Sequence, residues 1–155
     1  MKTIILGVGN PVLGDDSVGL HVARALCKEL DQAEATVMET SVAGMDFLEL
    51  LAGYDRAIIV DAIQTRGGKA GEIYRLELEA FEATGGAGIS HNLDFVTAIE
   101  LGRKLNISLP RQIVIYAIEV KDVDSYSEDC TPEVRAAIPN CTGMLVKELS
   151  KNSSK

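Results

Sequence analysis

Three short apolar runs separated by segments of helical period constrain this chain more than any other feature of its sequence. Residues 2–8 (Lys-Thr-Ile-Ile-Leu-Gly-Val), 56–61 (Arg-Ala-Ile-Ile-Val-Asp) and 111–118 (Arg-Gln-Ile-Val-Ile-Tyr-Ala-Ile) are rich in β-branched residues. Their apolar positions are continuous rather than alternating, the pattern of strands covered on both faces. A further strand is predicted at 35–40, and residues 71–78 alternate in the manner of a half-exposed strand. Between them, Val18, Val22, Ala25, Leu26 and Leu30 predict a helix over 16–30. Met45, Leu48 and Leu51 predict a short one over 44–52, and Phe95, Ala98, Ile99 and Leu101 one over 92–105. A last helix is expected over 131–149, with Pro132 in its first turn and a kink or break at Pro139. Strands alternating with helices imply an α/β fold: a single twisted, mainly parallel sheet of about five strands with helices on both faces. No internal repeat or linker divides it, so residues 1–150 are expected to form one domain and 151–155 a disordered tail.

Composition removes several function classes. The chain has 155 residues, 46% of them hydrophobic and 25% charged, enough for one core without a stapling disulfide or metal. Its net charge of −8, absence of tryptophan and 5% aromatic content oppose binding to a phosphate backbone or stacking on single-stranded bases. Cys27, Cys130 and Cys141 are widely spaced and form no Cys-x-x-Cys pair, as in a reducing compartment. Glycines interrupt the first apolar run, and no stretch approaches the roughly 20 apolar residues of a membrane span. A cytoplasmic protein with no nucleic-acid or membrane partner is expected, and a monomer.

In open α/β sheets, functional groups gather beyond the carboxyl ends of the strands. Asp16 lies after the first strand, Asp61 closes the third, and His91 follows a glycine-rich loop at 84–90. Two carboxylates and one imidazole make a nitrogen/oxygen site for a divalent transition metal such as nickel or zinc. Each has a plainer reading: Asp16, beside Asp15, as a helix cap, Asp61 as a turn former, His91 as a packing residue at a helix start. Their convergence on one predicted face favours the functional reading.

Competing motifs are incomplete. Gly7-Val-Gly9-Asn-Pro-Val-Leu-Gly14 follows a strand and opens a helix, but its third glycine comes late for a dinucleotide fingerprint, and Asp15 and Asp16 stand where pyrophosphate would bind. There is no Walker lysine, no Gly-x-Ser-x-Gly elbow and no His-Glu-x-x-His. His21 is expected to pack at the edge of the core, and no histidine near a cysteine suggests an activated thiol.

The stretch from Gly7 to Gly19, with Asn10-Pro11 and Asp15-Asp16, closely resembles the N-terminal signature of the nickel–iron hydrogenase maturation proteases. The resemblance continues through Ala43-Gly44-Met45, Ile58-Ile-Val-Asp61-Ala, Gly71-Glu-Ile and Ser90-His91-Asn92, covering roughly residues 3 to 118 in order. It implies a twisted α/β sheet and a metal site formed by Asp16, Asp61 and His91. Where the family often has Asp-Gly-Gly-Thr, this chain reads Glu39-Thr-Ser-Val42, with a longer acid and two glycines gone. Glu39 stands at the family's acid position and is a candidate catalytic acid beside Asp16 and Asp61, with this departure limiting the carry-over. The region after about Val120, with Asp122, Asp124, Cys130 and Pro139, matches none of these motifs and is a candidate for choosing the partner.

The resemblance further implies an endopeptidase that removes the C-terminal extension of a hydrogenase large-subunit precursor once nickel is in place. The nickel would be carried by the precursor and recognised at the Asp16/Asp61/His91 site, with no tightly bound cofactor of the enzyme's own. Peptide hydrolysis needs an activated water and a polarised carbonyl, supplied either by metal or by a carboxylate base. A rival from another class is a non-catalytic nickel-binding chaperone for the same precursor, and a second is a resident-metal peptidase of broad specificity.

Overall fold

The computed structural model describes residues 1–31, 34–42, 45–80 and 94–153. Five strands form one sheet: β1 (Thr3–Val8), β2 (Thr36–Thr40), β3 (Arg56–Ile63), β4 (Ile73–Glu77) and β5 (Gln112–Glu119), in the order β2-β1-β3-β5-β4. The β2/β1, β1/β3 and β3/β5 pairs are parallel, and β4 alone runs antiparallel, on the outer edge of β5. The mainly parallel sheet expected from the sequence is thus the sheet observed.

Side-chain alternation explains why the three central strands read as continuous apolar runs. In β3, Ile58, Val60 and Ala62 point to one face while Ala57, Ile59 and Ile63 point to the other, and all are buried. The first face is covered by α1 (Val18–Glu29) and by a long C-terminal helix, called α4 (Pro132–Ser153). The second is covered by α2 (Met45–Leu51) and α3 (Asp94–Lys104), which meet through Phe47 and Phe95, stacked with ring centroids 5.5 Å apart. At 25 cal/mol per Å² of apolar surface removed from water, each of these fully buried Ile, Leu or Val side chains contributes about 1.5–3 kcal/mol. Edge strand β4, by contrast, is half-buried at Ile73, Tyr74 and Leu76 and exposed at Arg75 and Glu77.

Several boundaries differ from expectation for physical reasons. β3 continues two residues past Asp61, because Ala62 and Ile63 go on pairing with Ile118 and Glu119, so Asp61 sits within the strand rather than closing it. The helix expected from residue 16 begins as a 3-10 turn, Gly14–Ser17, before α1 proper. α4 runs unbroken through Pro139, where packing against α1 and the sheet overrides the missing N–H, and continues to Ser153, past Lys151 where the sequence places the tail.

Along the lower half of the sheet an ionic cluster ties α4 down. Glu148 accepts from Arg56 Nη2 at 2.7 Å, from Arg75 Nε at 2.6 Å and from the Tyr116 hydroxyl. Arg56 is 1% exposed and Glu148 13%. The Arg75 guanidinium, with help from Tyr116 and Arg56, holds the Glu148 carboxyl down at about 2, against an ordinary 4.5.

Candidate active site

The loop after β1 is built by close contact of backbones. A Cβ added to Gly7 would overlap the carbonyl of Gly19, and one added to Gly19 would overlap the carbonyl oxygens of Val60 and Val8. The start of α1 therefore lies directly on β1 and β3, at the residue preceding Asp61. One turn earlier, Gly9 is pressed against the Asp16 carbonyl in the same way. Gly14 takes φ +52°, the left-handed region that favours glycine, and opens the 3-10 turn that carries Asp16. This turn packs against β3. Asp16 is half-buried, with Oδ2 accepting from Asn10 N at 3.2 Å, and Asp61 is 6% exposed, with Oδ1 accepting from Ala62 N at 2.8 Å. Both acids thus stand at the carboxyl end of the sheet on elements in direct contact.

Asp15, the neighbour of Asp16, has a different position. It is fully buried, and its carboxylate accepts from Lys121 N at 3.0 Å, Asp122 N at 2.9 Å and Thr131 N at 2.6 Å, with Thr131 Oγ1 within 3.0 Å of both oxygens. Backbone bonds reinforce the attachment: Gly14 N donates to Ser127 O at 2.8 Å, Asp15 N to Asp122 O at 2.7 Å, and Ser127 N to Val12 O at 2.9 Å. His21 Nε2 lies 2.9 Å from the Glu128 carbonyl, so it fastens the same loop instead of merely packing at the core edge. Within the loop, the Ser125 hydroxyl, then the N–H groups of Ser125 and Asp124, hold the Asp122 carboxyl below its usual range. Residues 121–131, for which the sequence offered no motif, are thereby fastened to the turn that carries Asp16. No local pattern signals this, since Asp15 and Thr131 stand 116 positions apart.

Glu39 is held elsewhere. It pairs in register with Gly7 and extends from β2 toward α1, where its Oε1 accepts from Arg24 Nε at 3.0 Å. Asp61 shares its face with Ile59 and Ile63, the face covered by α2 and α3, so Glu39 and Asp61 project from opposite sides of the sheet. The structure brings Asp16 and Asp61 to one end and does not bring Glu39 to them. His91 lies outside the described residues. Among the described residues no group of three His, Cys, Asp or Glu side chains assembles as a metal site.

A further acid lies at the carboxyl end of β5. Glu119, 2% exposed, accepts from Thr65 N at 2.8 Å and Tyr74 OH at 3.1 Å and closes the loop after β3. Burial, then the bond to Glu72, pushes the Tyr74 hydroxyl up to about 12, which keeps it a donor at neutral pH. Burial likewise raises the Cys130 thiol and takes Cys141 up to about 12, so neither is an activated nucleophile. Among the described residues, the Asp16 and Asp61 carboxylates at this end of the sheet are groups able to bind a cation, orient a water or accept a proton.

A family model described as hydrogenase maturation protease matches residues 20–148. The chain is 28% identical to the hydrogenase 2 maturation protease of Escherichia coli K12 over 142 residues, 89% of this chain and 84% of that protein. Among solved structures, the NiFe hydrogenase maturation protease HybD from Thermococcus kodakarensis is 25% identical with a TM-score of 0.74, covering 96% of this chain and 99% of its own. The hydrogenase maturating endopeptidase HybD from E. coli superimposes with a TM-score of 0.82 over 98% of this chain and 94% of its own. At 22% identity that likeness speaks for the fold.

Proposed function

Because this chain belongs to the hydrogenase maturation protease family, we propose that it is the endopeptidase that removes the C-terminal extension of a nickel–iron hydrogenase large-subunit precursor after nickel insertion. The observation that carries the reading is the placement of Asp16 and Asp61 on touching elements at the carboxyl end of the sheet. The nickel already seated in the precursor is the feature recognised, through Asp16, Asp61 and His91, and no cofactor of the enzyme's own is required. Carboxylate oxygens and a neutral imidazole suit a borderline divalent ion. Two aspartates alone form a deficient site, which favours a cation that arrives with ligands of its own. A precursor without nickel lacks the positive charge that would offset burying two carboxylates at the interface, so cleavage follows metal insertion through differential binding.

In the hydrolytic step a water oxygen adds to the scissile carbonyl carbon, the C–N bond breaks, and the water's proton passes to the departing amine. Asp16 or Asp61 accepts and returns that proton, since Glu39 faces α1 and is engaged by Arg24. The reaction takes place in the cytoplasm, where an unassembled large subunit is accessible.

The test is to incubate the protein with nickel-loaded and nickel-free precursor and follow precursor mass. Loss of a C-terminal fragment from the loaded form alone is expected, with Asp16→Asn and Asp61→Asn each abolishing it. An intact mass in both, with binding retained, would instead make the protein a nickel-dependent chaperone. Cleavage of unrelated peptides that stops on adding chelator would make it a resident-metal peptidase.

A further inference from the structure

We infer that Asp15 is a positioning residue for the proteolytic site: its buried carboxylate clamps the 121–131 loop and the start of α4 onto the Gly14–Ser17 turn, and so sets where Asp16 presents its own carboxylate. The inference rests on the role given to Asp16 above. Two adjacent aspartates have opposite environments here, one fully buried and one half-buried at the rim. A 3-10 turn advances about 120° per residue, so turning Asp15 inward directs Asp16 away from the clamp.

The donors that hold Asp15 come from two places. Lys121 and Asp122 lie just beyond β5, and Thr131 immediately precedes α4, whose N-terminus favours a negative group. A single carboxylate therefore joins the end of the strand next to β3, the entry of the longest helix and the turn carrying Asp16. Both oxygens of Asp15 accept from main-chain N–H groups, a pattern that the amide of asparagine cannot reproduce, because its NH₂ would meet another donor. Other restraints on the turn include the Ser17 Oγ to Gly14 O bond at 2.7 Å, the Asn10 N to Asp16 Oδ2 bond at 3.2 Å, the contact of Ser17 Oγ with Cys130 Sγ at 3.8 Å and the backbone bonds from Gly14, Asp15 and Asp16. The first lies within the turn and the second is at the long end of the normal range.

The experiment compares full-length wild type with Asp15→Asn, Thr131→Val, Thr131→Ser and Asp16→Asn on nickel-loaded precursor. Leu145→Ala, a core truncation three turns along α4, serves as a destabilised control. Circular dichroism sets the assay temperature well below every melting midpoint. Asp15→Asn is expected to lower kcat about 100-fold, the cost of displacing a catalytic group by about 1 Å. Thr131→Val should lower it less, Thr131→Ser should restore it, and Leu145→Ala should keep the wild-type rate although it melts earlier. Should Asp15→Asn not fold, the Thr131 pair carries the test alone. Wild-type rates in folded Asp15→Asn and Thr131→Val, with Asp16→Asn inactive, would overturn the positioning role and leave the function standing. An active Asp16→Asn would overturn the role of Asp16 and the positioning role with it. Equal losses in Thr131→Val and Leu145→Ala would show that only stability is at stake.

Discussion

Replacing Glu148 by glutamine preserves size and one acceptor while removing the anion that faces buried Arg56. The carboxyl is held at about 2 instead of 4.5, and at about 1.4 kcal/mol per tenfold change in proton affinity this corresponds to about 3 kcal/mol of folding free energy. Arg75 is 37% exposed, so its share of the attraction is screened and the expected loss for Glu148→Gln at neutral pH is nearer 2 kcal/mol. For a domain of this size each kcal/mol moves the midpoint by about 2–4 °C, so melting should occur about 4–8 °C lower. The folded-state value lies below the unfolded one. The stabilisation is therefore complete above about pH 4.5 and disappears as the pH falls from there through about 2. Urea unfolding of wild type and Glu148→Gln across that range measures the difference directly and cancels the other carboxylates. The gap should be about 2 kcal/mol at neutral pH and shrink steadily below about pH 4.5. A gap that is independent of pH, or absent at neutral pH, would refute the reasoning. Precursor cleavage should be unchanged below the midpoint, because Arg56 begins β3 and Asp61 lies five residues on, about 16 Å along the strand, on its other face.

Three further outcomes are expected. Gly19→Ala puts a methyl into the Val60 and Val8 carbonyls, so α1 must lift from the sheet; a stability loss of about 1–3 kcal/mol by urea unfolding should accompany a large fall in processing. Glu39→Gln breaks an exposed pair with Arg24 and should change stability by less than about 0.5 kcal/mol, with processing retained in the mass assay. Pro139→Ala, at an exposed position inside α4, restores a backbone donor and should raise the melting midpoint, by up to about 3 kcal/mol of stability less the unfolded-state entropy that proline removes.

Where burial on both faces determined the strand, as in β1, β3 and β5, the sequence carried the fold openly, and the alternating β4 was equally visible. The antiparallel direction of β4 is not in its alternation, which suits either direction; it is in the short connection from Ile63 to Ile73, too short for a parallel crossover. Asp61 looked like a strand terminus because aspartate is rare in central strands, yet its neighbours continued the ladder. Asp16 and Asp61 could be picked out because both follow apolar runs near the carboxyl ends of central strands. Asp15 could not, since its partners are contributed by segments more than 100 residues away. Glu39 illustrates the converse: it was singled out through the resemblance to the family's acid, and only the pairing register, which sets it opposite Gly7, shows that it projects from the face opposite Asp61.

The contact of Gly7, Gly9 and Gly19 with neighbouring backbone has a consequence for how a metal-bearing partner would be met. Backbone meets backbone where Gly19 lies on Val60 and Val8 and where Gly9 lies on Asp16, so the separation of these main-chain segments is not set by an intervening side chain at those contacts. The entropy of bringing two like charges together is surrendered once, when the chain folds, rather than at every encounter with a precursor. Under the proposed function, the main-chain frame that carries the pair would already be in place when a cation-bearing precursor arrives.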